Sequence, residues 1–155
     1  MKLKTLGTGT AAAAALAMSA LVMAPPASAA NPARPTVGVD CGPWGTGQAT
    51  LGAQSSGTSA ALFFTTAVVW TSHSFPANSM QSTITLTDAQ GHDVTFTGKA
   101  NSAWTLPWEP FVSGPMLGSV TPGETLEFKS LTSSFGTFSF TCTATSPQDP
   151  GPFTF

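Results

Sequence analysis

Tyrosine is absent from the chain, and charge is scarce: 8% of its 155 residues are Asp, Glu, Lys or Arg, against about 25% in an average soluble protein. Five basic residues cannot make the many phosphate contacts that drive general nucleic-acid binding. Nor can they draw the protein to an anionic membrane surface. Coiled coils and long helical arrays are excluded with them, because those need abundant Glu, Lys and Arg at helical spacing. Histidine occurs twice and cysteine twice. There is no Gly-x-Ser-x-Gly elbow and no His-Glu-x-x-His zinc pattern. No apolar run reaches the roughly 20 residues that a membrane-spanning helix needs.

Hydroxyls stand in for the missing ions: the chain carries 24 Thr and 17 Ser. Its first segment has a separate logic. Lys2 and Lys4 precede the uncharged, largely apolar run Ala11 to Ala24, followed by Pro25, Pro26 and Ala27-Ser28-Ala29. A basic start, a short apolar stretch and an A-x-A pattern make a secretory signal peptide, with cleavage expected after Ala29. The expected layout is a leader over 1–29 and a Pro-containing segment over 30–40. A β-sandwich domain over 41–145 and a Pro-rich C-terminal tail over 146–155 complete it. Without the leader, the chain has three basic and seven acidic residues, a net charge of −4. The expected location is secreted and extracellular, with no membrane insertion and no nucleic-acid partner.

In an oxidising compartment, Cys41 and Cys142 are expected to form a disulfide. It joins the N-terminal segment to the last strand. Neither cysteine lies in a Cys-x-x-Cys motif or beside a histidine, so redox and metal roles are disfavoured.

Helical periodicity is missing from residue 30 onward, and period-2 alternation takes its place. Strands are expected over Gln48–Gln54, Ala61–Thr71, Thr83–Thr87, Val94–Thr97, Glu124–Ser130 and Phe135–Thr145. The Ala61–Thr71 run is apolar on both faces, which marks a central strand or one that switches faces. Residues 88–93 have turn composition, so the strands flanking them form a hairpin. In Phe135–Thr145, Phe138, Phe140, Cys142 and Ala144 share one face, and threonines and serines the other. That is the pattern of an antiparallel sheet with one wet face. The fold class is therefore all-β: an antiparallel β-sandwich of immunoglobulin-like look, with a closed barrel as the alternative. Ser102 to Gly118 contains three prolines and reads as a long irregular connection.

Chemistry-bearing residues are few. Ser72 and Ser74 flank His73, but adjacent side chains are expected to diverge, so no Ser-His-Asp triad is built there. His92 falls in the 88–93 turn. Asp88 with Asp93, and Glu124 with Glu127, are not positioned across a cleft as glycosidase chemistry requires. The Asp88–Asp93 turn lacks the ligand density of a calcium loop. Cys41-Gly-Pro-Trp-Gly-Thr-Gly47 is Gly-rich without the lysine of a phosphate loop, and Trp44 is expected to cover the disulfide. No catalytic residue, metal or cofactor is assigned.

Aromatic residues outside the strands are the remaining signal. Trp104, Trp108 and Phe111 lie in the proline-stiffened connection, and Phe153 and Phe155 in the tail. These five form the candidate binding surface. Tryptophan there serves either as a plug over the core or as a platform for a partner. The favoured function is a secreted, non-catalytic protein-binding module: an adaptor, a small subunit of an extracellular assembly, or an inhibitor. Its partner would be another secreted or surface protein, docked partly by the aromatic tail. The alternative is a carbohydrate-binding module that stacks polysaccharide rings on Trp104 and Trp108.

Overall fold

A computed structural model describes residues 28–155; the leader expected over 1–29 lies outside the described residues except for Ser28 and Ala29. Among the described residues there are ten antiparallel strands, in the order β1 (Ser28–Ala29), β2 (Thr36–Asp40), β3 (Thr46–Ser56), β4 (Ser59–Thr66), β5 (Gln81–Asp88), β6 (Asp93–Lys99), β7 (Phe111–Ser119), β8 (Thr125–Phe135), β9 (Phe138–Ala144) and β10 (Phe153–Thr154). One 3-10 turn, Gly42–Trp44, follows β2. No helix among the described residues is long and apolar enough to cross a membrane.

Eight strands pair in a closed circuit: β2-β9-β8-β5-β6-β7-β4-β3 and back to β2. Two junctions of this circuit are thin. β2 meets β9 only at Val39↔Ala144 and Asp40↔Thr143, and β6 meets β7 only at Thr97↔Leu117. They divide the circuit into two four-stranded halves, β2-β3-β4-β7 and β9-β8-β5-β6. The halves pack through aromatic pairs. Phe64 of β4 stacks on Phe128 of β8 with centroids 5.7 Å apart, and Phe111 of β7 meets Phe140 of β9 edge-on at 4.8 Å. The all-β antiparallel class follows the alternation. Leu62 and Phe64 face the core with Ile84 and Leu86, while Phe63, Thr65, Thr83 and Thr85 face outward and are half-buried.

Both thin junctions have their own fastening. Continuing the β2–β9 register by one residue brings Cys41 opposite Cys142, and these form the disulfide. The bridge runs across neighbouring strands at the junction of the halves. It closes a loop of sequence separation 101, worth about 4.7 kcal/mol in the chain-entropy account. At the other junction, β6 and β7 approach so closely that two glycines are required. A Cβ on Gly98 would lie 2.6 Å from the carbonyl oxygen of Pro115, and one on Gly118 would lie 2.4 Å from the Phe96 ring. Between the junctions, three buried serines cross the core: Ser113 Oγ donates to Ser82 Oγ at 3.0 Å, and Ser82 Oγ lies 2.8 Å from Ser133 Oγ. Burying hydroxyls is tolerable only with such partners.

Three sequence expectations change here. The strand expected over Ala61–Thr71 ends at Thr66. Thr66 Oγ1 donates to the Gln48 carbonyl at 2.9 Å and accepts from the Val68 N–H at 3.2 Å, which turns the chain out of the sheet. Second, the connection expected over Ser102–Gly118 contains strand β7. Pro110, Gly114 and Pro115 hid it, and the β4–β7 register shifts at a bulge between Leu62 and Phe64 to accommodate them. Third, the segments over 30–40 and 146–155 both contribute strands to the sheet. β2 lies along β3, and β10 pairs with β8 at Phe153↔Leu126. Buried Gln148 anchors the tail: its Oε1 accepts from the Phe128 N–H, and its Nε2 donates to the Gly151 carbonyl at 3.2 Å.

Candidate functional site

Antiparallel pairing sends alternate connections to opposite ends of the circuit. Residues 41–45, 67–80, 100–110 and 136–137 lie at one end. All four tryptophans of the chain fall in these connections: Trp44, Trp70, Trp104 and Trp108. Trp70 stacks on Trp108 with centroids 4.5 Å apart and planes 25° apart, and Trp44 meets Trp70 edge-on at 5.7 Å. Trp44 also contacts Phe138, which touches Phe75 and Phe140, so the surface rings run continuously into the core. The outer rings stay in solvent: Trp104 is 60% exposed, Trp108 67% and Trp70 42%, and at the same end Leu106 and Phe135 are also exposed. Several large apolar groups are thus left exposed at this one end of the circuit.

The two long connections that carry these rings are tied to each other. Phe75 and Thr105 exchange a pair of backbone hydrogen bonds, N–H to carbonyl, at 2.9 and 3.0 Å. The Trp108 N–H donates to the Thr71 carbonyl at 3.0 Å. Asn101 is the hub. Its buried Oδ1 accepts from the N–H groups of Ser79 and Met80, both at 3.0 Å, and its Nδ2 donates to the Pro76 carbonyl. Its own carbonyl accepts the Asn78 N–H at 2.7 Å. Trp108 adopts φ of 65°, a left-handed conformation that costs a bulky residue about 1–3 kcal/mol and persists only where the surroundings enforce it. Here the enforcing contacts are the Thr71 hydrogen bond and the Trp70 stack, and the result is an open indole face.

Beside Trp104 lies a groove of about 260 Å³, whose lining includes Asn101, Ser102, Thr105, Glu109 and Val112. A larger hollow of about 600 Å³ lies against β3 and β4, lined mainly by small and aliphatic groups with Arg34 as its one charge. The first combines an exposed ring with hydroxyl, amide and carboxylate groups; the second presents no exposed tryptophan.

Of the five aromatics expected to form a binding surface, Trp104 and Trp108 are exposed. Phe111 is 1% exposed and Phe153 0%. These two are corrections. Phe111 opens strand β7 and packs on Phe140, and Phe153 enters the core through β10. Phe155 is half-buried, 5.9 Å from Phe153, and its N–H donates to the Glu124 carbonyl at 3.1 Å. The tail is thus folded onto its own sheet. Sequence reasoning missed Trp70, which the extended apolar run placed inside a strand. Trp44 does more than accompany the disulfide, because it links the surface stack to Phe138.

Ser72 Oγ lies 2.9 Å from His73 Nδ1, although adjacent side chains were expected to diverge. Both residues are exposed, and no acidic group hydrogen-bonds to this imidazole among the described residues. In the 88–93 turn, Asp88 Oδ1 accepts the N–H groups of Gln90 and His92 at 2.9 and 2.8 Å, and Oδ2 lies 3.0 Å from His92 Nδ1. The His92 backbone N–H is the main reason its carboxyl titrates below the usual value of 3.8. Asp93 is lowered chiefly by its hydrogen bond from Lys129 Nζ at 2.8 Å. Both carboxylates are occupied by donors of the protein itself. No group of three or more metal-ligating side chains occurs among the described residues.

The chain matches no protein-family model, no curated protein and no solved structure.

Proposed function

We propose that this protein is an exported, non-catalytic carbohydrate-binding module whose ligand lies on the tryptophan end. The observation that carries the reading is the exposure of Trp104 and Trp108 on connections that hydrogen bonds hold in place. A flat indole face binds the apolar face of a sugar ring with little entropic cost, because few torsions have to be frozen. The surroundings suit a hydroxyl-rich ligand: Ser72, Ser74, Ser102 and Thr105 lie in the same connections. The leader pattern at 1–29 and the Cys41–Cys142 bridge support export into an oxidising compartment. The test is depletion of the purified protein from solution by insoluble polysaccharides. Retention on at least one of them, lost in the Trp104→Ala/Trp108→Ala double variant, is the expected result. Retention that survives the double variant would falsify this site.

A second reading, a secreted protein as the partner, is favoured by the Trp70–Trp108 stack together with Leu106 and Phe135. Exposed tryptophans with large apolar neighbours at the same end have the composition of a protein-binding hot spot. A stoichiometric partner recovered from culture medium, and lost with Trp70→Ala, would select this reading. The docked tail gives it less support than an extended tail would, since Phe153 is already buried in the protein's own sheet.

A further inference from the structure

We infer that the groove beside Trp104 takes an amino sugar, a hexosamine unit with a free ammonium group, in preference to a neutral hexose. The inference rests on the carbohydrate reading above and adds the chemical class of the ligand. Glu109 is the only charged residue lining the groove. Its carboxylate is exposed and makes no ion pair or hydrogen bond with any described residue. Asp149 is the other acidic side chain with no side-chain partner among the described residues, and it does not line this groove; the remaining ones are engaged. Asp88 is filled by donors from its own turn, Asp93 by Lys129, and Glu124 accepts the Thr121 N–H at 2.8 Å. Asp40 likewise accepts the Gly42 N–H at 2.9 Å. The cation next along the chain, Lys99, does not line the groove; it sits in β6 opposite Gln81. The groove therefore has an uncompensated negative charge beside an open indole.

Those two groups recognise complementary parts of one ligand. A pyranose ring stacks on Trp104, and an ammonium substituent donates charge-assisted hydrogen bonds to Glu109. The indole face adds a cation–π attraction for the same ammonium. Asn101 is committed to the loops, so Ser102 and Thr105 hydroxyls remain to meet the sugar hydroxyls. A volume of about 260 Å³ is just below the range typical of drug-sized ligands, so it suits one ring of a longer chain.

The experiment is calorimetric titration of the exported protein with glucosamine tetramer, its N-acetylated counterpart and cellotetraose, at about pH 6 and low salt. Most amines of the glucosamine tetramer carry a proton there, since an amine on a sugar carbon titrates nearer an α-amino group than a lysine. The glucosamine tetramer is expected to bind about tenfold more tightly than either neutral tetramer, the scale of one hydrogen bond to a charged group. Glu109→Gln brings that ratio to about one, and so does raising the salt to about 0.5 M with the unaltered protein. Equal affinities for all three tetramers overturn the inference while leaving the carbohydrate reading in place. A preference that survives Glu109→Gln or high salt also overturns it. If none of the tetramers and no polysaccharide binds, both readings fall.

Discussion

The two ends of the strand circuit are built from the same sheet and solve opposite problems. At one end, residues 57–58, 89–92 and 120–124 are tight turns, and the short strands β1 and β10 pair beside them. Asp88, Asp93, Lys129 and Glu124 lie there, each engaged with a partner. At the other end, residues 67–80 and 100–110 are long and nearly uncharged, and they hold Trp70, Trp104 and Trp108 in solvent. The first end uses polar groups to close turns. The second uses a buried amide, Asn101, to hold exposed rings in place. Under the proposed binding function, this end must leave apolar area uncovered, and a rigid support reduces the entropy lost when a ligand covers it.

This contrast can be broken in order of expected effect. Phe153→Ala removes a buried ring from the closed end. Unfolding in denaturant should show a loss of about 3–5 kcal/mol; a loss below about 1 kcal/mol would mean that β10 is not part of the core. Asn101→Ala acts at the other end. It leaves the Ser79 and Met80 N–H groups without their acceptor, and about 2–3 kcal/mol should be lost. The near-ultraviolet circular dichroism of the tryptophans should change with it, because the loops carrying them lose their hub. An unchanged aromatic spectrum would separate the hub from the rings.

Trp104→Ala is expected to do little to stability, within about 0.5 kcal/mol, because its ring is mostly in water. Polysaccharide retention is the property it should abolish. A large loss of stability would make Trp104 a plug over the core, and the two ends would then be alike. The smallest effect is Asp93→Asn, read as a difference in melting temperature across pH. The Asp93 carboxyl titrates below its usual 3.8 in the folded protein, held down by Lys129. Its contribution is therefore present above that usual value and fades as pH falls through the lowered folded value. The variant should melt slightly below the unaltered protein at about pH 7 and together with it near pH 2. A constant gap at both pH values would assign the effect to packing.

Much of the sheet was legible in the sequence because alternation is a local code. Leu86 and Phe96 point inward, and Thr85 and Thr95 outward, as period two requires. The same code failed where the backbone departs from it. Proline and glycine masked β7, whose bulge resets the alternation at Gly114. In residues 61–71, apolar continuity concealed a turn made by a single threonine hydroxyl, Thr66 Oγ1. Half of the candidate site followed the same division. Trp104 and Trp108 stood out as aromatics in a proline-rich connection, whereas Trp70 and Asn101 carried no local signal. Their roles depend on partners more than twenty residues away in sequence.

The sequence by itself determined the β class, the pairing of its two cysteines and the near absence of charge. Composition and local periodicity act on each segment separately. Only the tertiary structure decided that eight strands close into a circuit with two thin junctions. It likewise decided that the aromatic tail is consumed by its own sheet and that four distant tryptophans arrive at one end. Those outcomes arise from long-range pairing and packing, in which one strand's neighbour is set by the fit of all the others.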